Sequence, residues 1–398
     1  MEFSDIFVVP YDGLLEQGTS GEYHRGGPIW PDWETPHGGR HFGYGSPIDR
    51  KPLAPTTWRD LDAAQWCGPI HWHFGHMVAE FSMRLLPTAL NGNPAPLLFC
   101  GNPPDRFVGH PDPLSLTPPF FRDMLDYAGL SPDRVLITGE PLRVKRLFVE
   151  PQAEHCYTSP PSAAHLDLLD AHAERRLGPV ARQGGLFVSR AGMFARFAGE
   201  PYIERVLAAA GFRVIRPETL PLIDQLRAYR SHAHVIFSEG SALHAPQFLG
   251  RCFDRVDVLR REDGQDLNAV SVQPRCRELS YWSFMRGSIS LLGANGKPWR
   301  LYALSVIDPD RFLEVMRSMG CPLDRYWDRE AFAEAEARDA AAWAEEARRL
   351  QVWKLDAQAE SIGRPQSSRL WDIPGNPARV AKGLKRFFGA RLGAEARP

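Results

Sequence analysis

His76, Glu80 and Arg84 stand four residues apart in HMVAEFSMR. On a helix that spacing puts all three side chains on one face. A carboxylate beside an imidazole orients the ring and raises its basicity, which suits a general base that takes a proton from a hydroxyl. The ordinary alternative is a Glu–Arg helix pair next to a partly buried histidine. Just upstream, His71, His73 and His76 in HWHFGH bring three imidazoles close together. An extended chain would turn His71 and His73 to one side, where zinc would accept them. No cysteine or carboxylate follows at a ligand spacing, so no metal is expected, and these rings are read as bonding locally or lining a cleft.

Two further motifs sit where a strand runs into a helix. Ser189-Arg190 ends one apolar run and is followed by Arg196 and Glu200. Two guanidinium groups at the carboxyl end of a strand can grip a diphosphate through charge-assisted hydrogen bonds, while Glu200 could instead favour the start of the next helix. The second is Phe237-Ser238-Glu239-Gly240-Ser241-Ala242-Leu243-His244. Gly240 allows close backbone approach, and the helix expected over 242–249 would offer free N–H groups to a phosphate. Glu239 could accept hydrogen bonds from a ribose or sugar hydroxyl. The structural alternative is a plain strand–turn–helix junction capped by Ser241. The pattern fits neither the nicotinamide fingerprint nor a P-loop.

The elements that must position these residues read as α/β. A helix is expected from Phe74 to Leu86, closed by Pro87, with strands at Leu97–Cys100, Arg134–Thr138 and Arg146–Val149. A helix at Phe120–Tyr127 is expected to stop at Gly129. From 181 to 260 short apolar runs at 186–189, 212–215, 234–237 and 256–259 alternate with helical patterns at 201–210, 222–229 and 242–249. That alternation implies βαβ crossovers and a parallel sheet. Ligands of such sheets bind beyond the carboxyl ends of the strands. Residues 1–60, rich in Gly, Pro, Trp and His, read as an irregular arm. Its Trp30, Trp33 and Phe42 either anchor it or stack on a sugar. The divisions expected are this arm, an α/β domain over 61–180, a second over 181–325 and a helical tail over 326–398.

In that tail Trp343, Ala347, Leu350 and Trp353 form an apolar stripe whose expected partner is the body of the protein. A linker is expected over 361–378. Val380, Leu384, Phe387 and Phe388 then share a face ringed by Arg379, Lys382, Lys385 and Arg386. Such a helix suits either an anionic membrane surface or simple docking. The 398 residues carry 47 Lys plus Arg against 48 Asp plus Glu, a net charge of −1 that gives no global reason to bind nucleic acid. Six cysteines with no C-x-x-C pair argue against a disulfide scaffold or zinc ribbon. No secretory signal or membrane span is read, so a cytoplasmic location is expected, with peripheral contact at the inner membrane face if the tail binds lipid.

Taken in order, the motifs resemble glycosyltransferase family 61. His76, Glu80 and Arg84 match its His-Trp-x-x-acid-x-x-Pro-base helix, with Met77 for the Trp and Met83 for the Pro. Val188, Arg190, Arg196 and Glu200 match a second motif, and Gly240 to Phe248 a third, with His244 for a Thr and Ala245 for an Asn. Leu142–Val149, Gly211-Phe212 and Gln225 are similar as well, and the likeness spans roughly residues 66 to 260. It implies two Rossmann-like domains facing a cleft (the GT-B architecture) and inverting transfer from a nucleotide sugar without a metal or other cofactor. The acceptor would be a glycan, of a surface polysaccharide or linked to a lipid. His76 or Glu80 would be the base, and Arg190, Arg196, Glu239, Gly240, Ser241, Ala242 and His244 would hold the donor. Departure of a nucleoside diphosphate needs positive charge or N–H donors at the leaving oxygen, which independently favours these residues.

Overall fold

The computed structural model describes residues 1–10, 26–31, 54–156, 159–262, 264, 266–291 and 302–361, the last turns of the final helix by backbone alone. Trp33, Phe42, the side chain of Trp353, nearly all of the expected linker and the basic C-terminal stretch lie outside what is described. The chain divides into two units. One comprises Met1–Gly184, Pro217–Val256 and Gln265–Ser280, the other Gly185–Arg216, Asp257–Gly264 and the chain from Tyr281.

The first unit is built on six strands, β1 (Glu2–Val9), β2 (Gly27–Pro28), β3 (Arg59–Pro69), β4 (Leu97–Cys100), β5 (Val135–Thr138) and β6 (Leu142–Val149). Their order is β2-β1-β6-β3-β4-β5. β3 runs parallel to both β6 and β4, and β4 to β5. β1 pairs antiparallel with β6, Glu2 opposite Phe148 and Val8 opposite Leu142. This corrects the irregular reading of the N-terminal arm, since EFSDIFVV is a strand. Trp30 is an anchor, 1% exposed and packed on Phe3 at 5.0 Å. Ile6, Val8, Ala64, Trp66, Leu98, Val144 and Leu147 bury one face of the sheet with it.

Four helical segments follow the strands, α1 (Phe74–His76), α2 (Leu85–Leu90), α3 (Pro119–Ala128) and α4 (Ala163–Leu177). α3 is the expected helix, stopped at Gly129, and its Phe121 meets Phe99 of β4 edge-on at 4.9 Å. Every residue of β4 is therefore buried, as a strand covered on both faces must be. The helix expected over 74–86 is instead three pieces. α1 passes into a π-turn at Met77–Phe81, the chain breaks at 82–84, and α2 restarts. Pro87 is the third residue of α2 rather than its end, in the first turn where a missing N–H costs nothing. A bulge in β3 seats the π-turn. Its Gly68, at φ +108°, lies so close that a Cβ there would sit 3.4 Å from the Phe81 carbonyl.

In the second unit the strands Gly185–Val188 and Arg213–Ile215 pair in parallel across the helix Glu200–Ala209, the expected crossover. Met285–Ile289 and Leu304–Ile307 pair antiparallel. The helix Pro309–Ser318 and the long helix Arg329–Ser361 make the C-terminal region helical, as expected. Trp343 and Ala347 bury against Ala198, Leu291 and Leu304, and Trp343 stacks on Phe194 at 5.1 Å. No described helix is long and apolar enough to cross a membrane. Because Trp343 fills this cluster, Trp343→Ala is expected to destabilise by roughly 3–5 kcal/mol in denaturant unfolding. The exposed Arg349→Ala should change stability by less than about 0.5 kcal/mol. Similar effects for the two would refute the packing described.

Candidate active site

The site begins where β3 ends. The Ile70 amide bonds the Cys100 carbonyl, which turns the chain out of the sheet. His71 Nδ1 accepts the His73 N–H at 2.9 Å. His73, the N-cap of α1, accepts the His76 N–H on its own Nδ1 at 3.4 Å. In a neutral imidazole one nitrogen accepts and the other carries the proton, so His71 and His73 both place theirs on Nε2. His76 has the opposite arrangement. Its Nδ1 lies 2.5 Å from Glu80 Oε1, and an ionised carboxylate only accepts, so in the neutral ring the proton sits on Nδ1 and the lone pair on Nε2. The Glu80 side chain is 1% exposed and that of His76 35%. A buried acid thus holds a half-open imidazole in one orientation and one tautomer.

Arg84, expected on the same face, is carried away by the π-turn and the break that follows. It is buried, with Nε directed to Gln152 Oε1 at 3.4 Å.

Opposite α1 lies the third motif. The strand His234–Ser238 is as expected, but the α-helix predicted after it is a 3₁₀ turn, Ser241–Phe248, with Pro246 inside. Pro246 has no N–H, so an α-helical ladder cannot close there. Side chains from elsewhere in the unit take up the carbonyls instead. Asn268 Nδ2 donates to Leu243 at 2.7 Å, Tyr127 Oη to Phe248 at 3.1 Å, and Arg275 Nε to both Pro246 and Leu249. Arg275 Nη2 adds the Gln247 carbonyl at 3.2 Å. The guanidinium is completed by Glu154, which accepts from both Nη atoms, and neither residue exposes its side chain.

Held this way, the turn meets α1 closely. Ser241 Oγ is 3.5 Å from His73 Nε2. The His244 ring lies over Gly75, where a Cβ would come within 3.0 Å of Cδ2. His244 Nδ1 is 3.2 Å from Gln247 Oε1, and burial pushes its pKa down to about 4, so at neutral pH it is an uncharged packing ring. Glu239, Ala242 and His244 are buried, and Ser241 is half-exposed. His76, Glu80, Ser241 and His244 are therefore brought together. His73 and Arg275 escaped the sequence reading as functional elements. His73 was visible only as one of three nearby rings, and the partner of Arg275 lies 121 residues away.

In the second unit, Glu200 is buried and organises the loop that bears the arginines. It accepts from the Arg190 N–H at 2.7 Å, the Phe197 N–H at 2.9 Å and Ser189 Oγ at 3.2 Å. Arg190 Nε bonds the Ala195 carbonyl at 3.0 Å. Arg196 pairs with Asp339 through Nε and Nη2, and its Nη1 donates to the Met193 carbonyl. It is 7% exposed. That geometry makes it a brace for the loop.

Among the described residues, no group of three or more His, Cys, Asp or Glu is arranged to hold a metal ion. Residues 74–251 match the family model described as Glycosyltransferase 61, and the match supports a glycosyltransferase. No curated protein matches the chain. The matched span contains His76, Glu80, Ser241 and His244, and also Arg190 and Arg196.

Two outcomes follow from this geometry. Arg275→Met leaves Glu154 buried without its cation and should cost about 3–5 kcal/mol in unfolding free energy, whereas removing both charges together should cost less than the two single changes summed. Among the described histidines, His244 and His165, which burial also pushes down to about 4, are displaced furthest from the ordinary range. Both stay neutral in the fold while the unfolded chain takes up protons near 6.5. Stability should therefore be full above about pH 6.5 and fall toward pH 4, by up to ~1.4 kcal/mol per pH unit for the fully buried His244. His244→Gln should flatten that slope; an unchanged slope would show that His244 titrates normally in the fold.

Proposed function

We propose that this glycosyltransferase moves a sugar from a nucleotide-sugar donor to a glycan hydroxyl with inversion, using His76 as base and Glu80 to aim it. The observation that carries the reading is the 2.5 Å hydrogen bond from His76 Nδ1 to the buried Glu80, which leaves Nε2 as the proton acceptor. His76 Nε2 takes the proton of the acceptor hydroxyl. The oxygen attacks the anomeric carbon as the bond from that carbon to the diphosphate breaks, and the nucleoside diphosphate departs with the electron pair. Glu80 steadies the imidazolium formed, and solvent later removes its proton.

The departing oxygen gains negative charge and needs donors already in place. The backbone amides at Gly240, Ser241 and Ala242 are the groups assigned to it, with no metal in the scheme, and Arg190 is kept as a separate candidate for donor binding. Glu239 is assigned to a hydroxyl of the sugar or ribose, and His244, uncharged, to the wall of the site. The acceptor is a growing surface polysaccharide or a lipid-linked glycan.

The test is a transfer assay against a panel of UDP-, GDP-, CMP- and dTDP-sugars. His76→Ala and Glu80→Gln should each lower kcat at least ~100-fold, about 2.7 kcal/mol, while donor affinity is retained. Near-normal turnover in His76→Ala would refute the base assignment. Arg190→Ala should weaken donor binding about tenfold, ~1.4 kcal/mol. Undiminished donor binding would remove Arg190 from the phosphate site.

A further inference from the structure

We propose that Asp339, on the long helix Arg329–Ser361, is a positioning residue for donor binding, which holds the loop of residues 190–199 in the shape that sets Arg190. The proposal rests on Arg190 as a candidate for donor binding, and Asp339 lies outside the segment that the family model covers. Loop and helix both belong to the second unit.

The helix has one face made for this loop. Phe332, Glu336, Asp339 and Trp343 recur every three or four residues, the spacing that lines side chains along one side. Phe332 and the Glu336 backbone crowd Gly199, where a Cβ would lie 3.1 Å from Phe332 Cε2 and 3.2 Å from the Glu336 nitrogen. Gly199 also stands at φ +76°, a conformation that favours glycine. Trp343 stacks on Phe194 at 5.1 Å. Between these contacts Asp339 supplies the charge. Its Oδ1 accepts from Arg196 Nη2 at 2.6 Å and from Nε at 3.1 Å, and its Oδ2 takes the Gly199 N–H at 3.0 Å. The side chains of Arg196 and Asp339 are 8% and 12% exposed, so water competes little for either.

Two hydrogen-bonded routes run from that pair to Arg190. Arg196 Nη1 donates to the Met193 carbonyl at 2.8 Å, and the Met193 N–H donates to the Arg190 carbonyl at 2.7 Å. By the second route Arg190 Nε donates at 3.0 Å to the carbonyl of Ala195, the residue just before Arg196. Arg190 is thus held at its carbonyl and at its side chain through residues that Asp339 anchors, while Glu200 holds its N–H independently. Position 339 needs a carboxylate because both of its oxygens accept. An asparagine could serve Arg196 or Gly199, but would turn its NH2 group on the other.

The experiment is a double-mutant cycle on the full chain. Affinity is measured by calorimetry for the nucleotide sugar that the wild-type chain binds from the panel of UDP-, GDP-, CMP- and dTDP-sugars. Asp339→Asn is expected to weaken that affinity about fivefold, Arg190→Ala about tenfold, and the two together no more than Arg190→Ala alone. In turnover the donor KM of Asp339→Asn should rise by the same factor while kcat is retained. Thermal unfolding is followed alongside, and the midpoint of Asp339→Asn should fall because Arg196 loses its ionic partner. A loss of stability alone leaves the affinity of the folded chain unchanged, so it cannot imitate the expected result. Arg196→Lys, which keeps the charge pair but gives up the planar fork that also reaches Met193, is the milder second variant and should behave like Asp339→Asn. Wild-type affinity in Asp339→Asn, with Arg190→Ala weakened, would overturn the positioning role and leave Arg190 at the donor. Additive losses would overturn it as well, since Asp339 would then act by a route other than Arg190, and so would a fall in kcat at constant KM. If Arg190→Ala binds the donor normally, or the wild-type chain binds none of the panel, the reading of Arg190 itself fails and the proposal falls with it.

Discussion

A carboxylate taken out of water must find a hydrogen-bond donor or lose its charge, and Glu80 finds that donor in His76. Its side chain is almost wholly enclosed, and the imidazole is the partner that reaches the surface. The rest of the site follows from this one contact. The bond selects the Nδ1–H tautomer, and in the neutral ring that tautomer leaves Nε2 as acceptor. The backbone beneath serves the same end. A bulge at Gly68 lets the end of β3 come close to Phe81, and the π-turn presses Glu80 into the interior while the preceding turn leaves His76 half-open. π-turns inside helices recur at functional sites, because they cost helical hydrogen-bond geometry that packing alone would not retain.

The facing wall is built by a different means. A 3₁₀ turn that contains a proline cannot satisfy its own carbonyls, and here Asn268, Tyr127 and Arg275 satisfy them from outside. Arg275 could not do this as a lone buried cation. Its pairing with Glu154 is what makes the guanidinium tolerable in the interior, and every one of its N–H groups then has an acceptor. Such a pair adds little net stability over an apolar filling, but it fixes geometry. The geometry it fixes is the placement of Ser241 and His244 against α1.

Much of the scaffold was legible in the sequence. Leu97–Cys100, the helix ended by Gly129, and the crossover from Gly185 to Ile215 follow from apolar runs and turn residues. The pairing of His76 with Glu80 follows from a spacing of four, which α- and π-geometry share over a single step. The loss of Arg84 does not, because the two geometries diverge over the second step and nothing local distinguishes them. β3 was hidden by Asp, Ala and Gln in RDLDAAQ, residues without strand preference that are held in place by neighbours on both sides. The helix expected over 242–249 overlooked Pro246, and the partners that hold the turn come from distant positions. The partner of Arg196, Asp339, lies 143 residues on, beyond the reach of any local pattern.

The most direct measurement is nitrogen NMR of isotope-labelled histidine in the intact chain, read at neutral pH for the tautomer of His76. The bond to Glu80 predicts the proton on Nδ1, with Nε2 unprotonated, and loss of that preference in Glu80→Gln. A His76 ring with its proton on Nε2, or one indifferent to the change at Glu80, would contradict the role given to this pair.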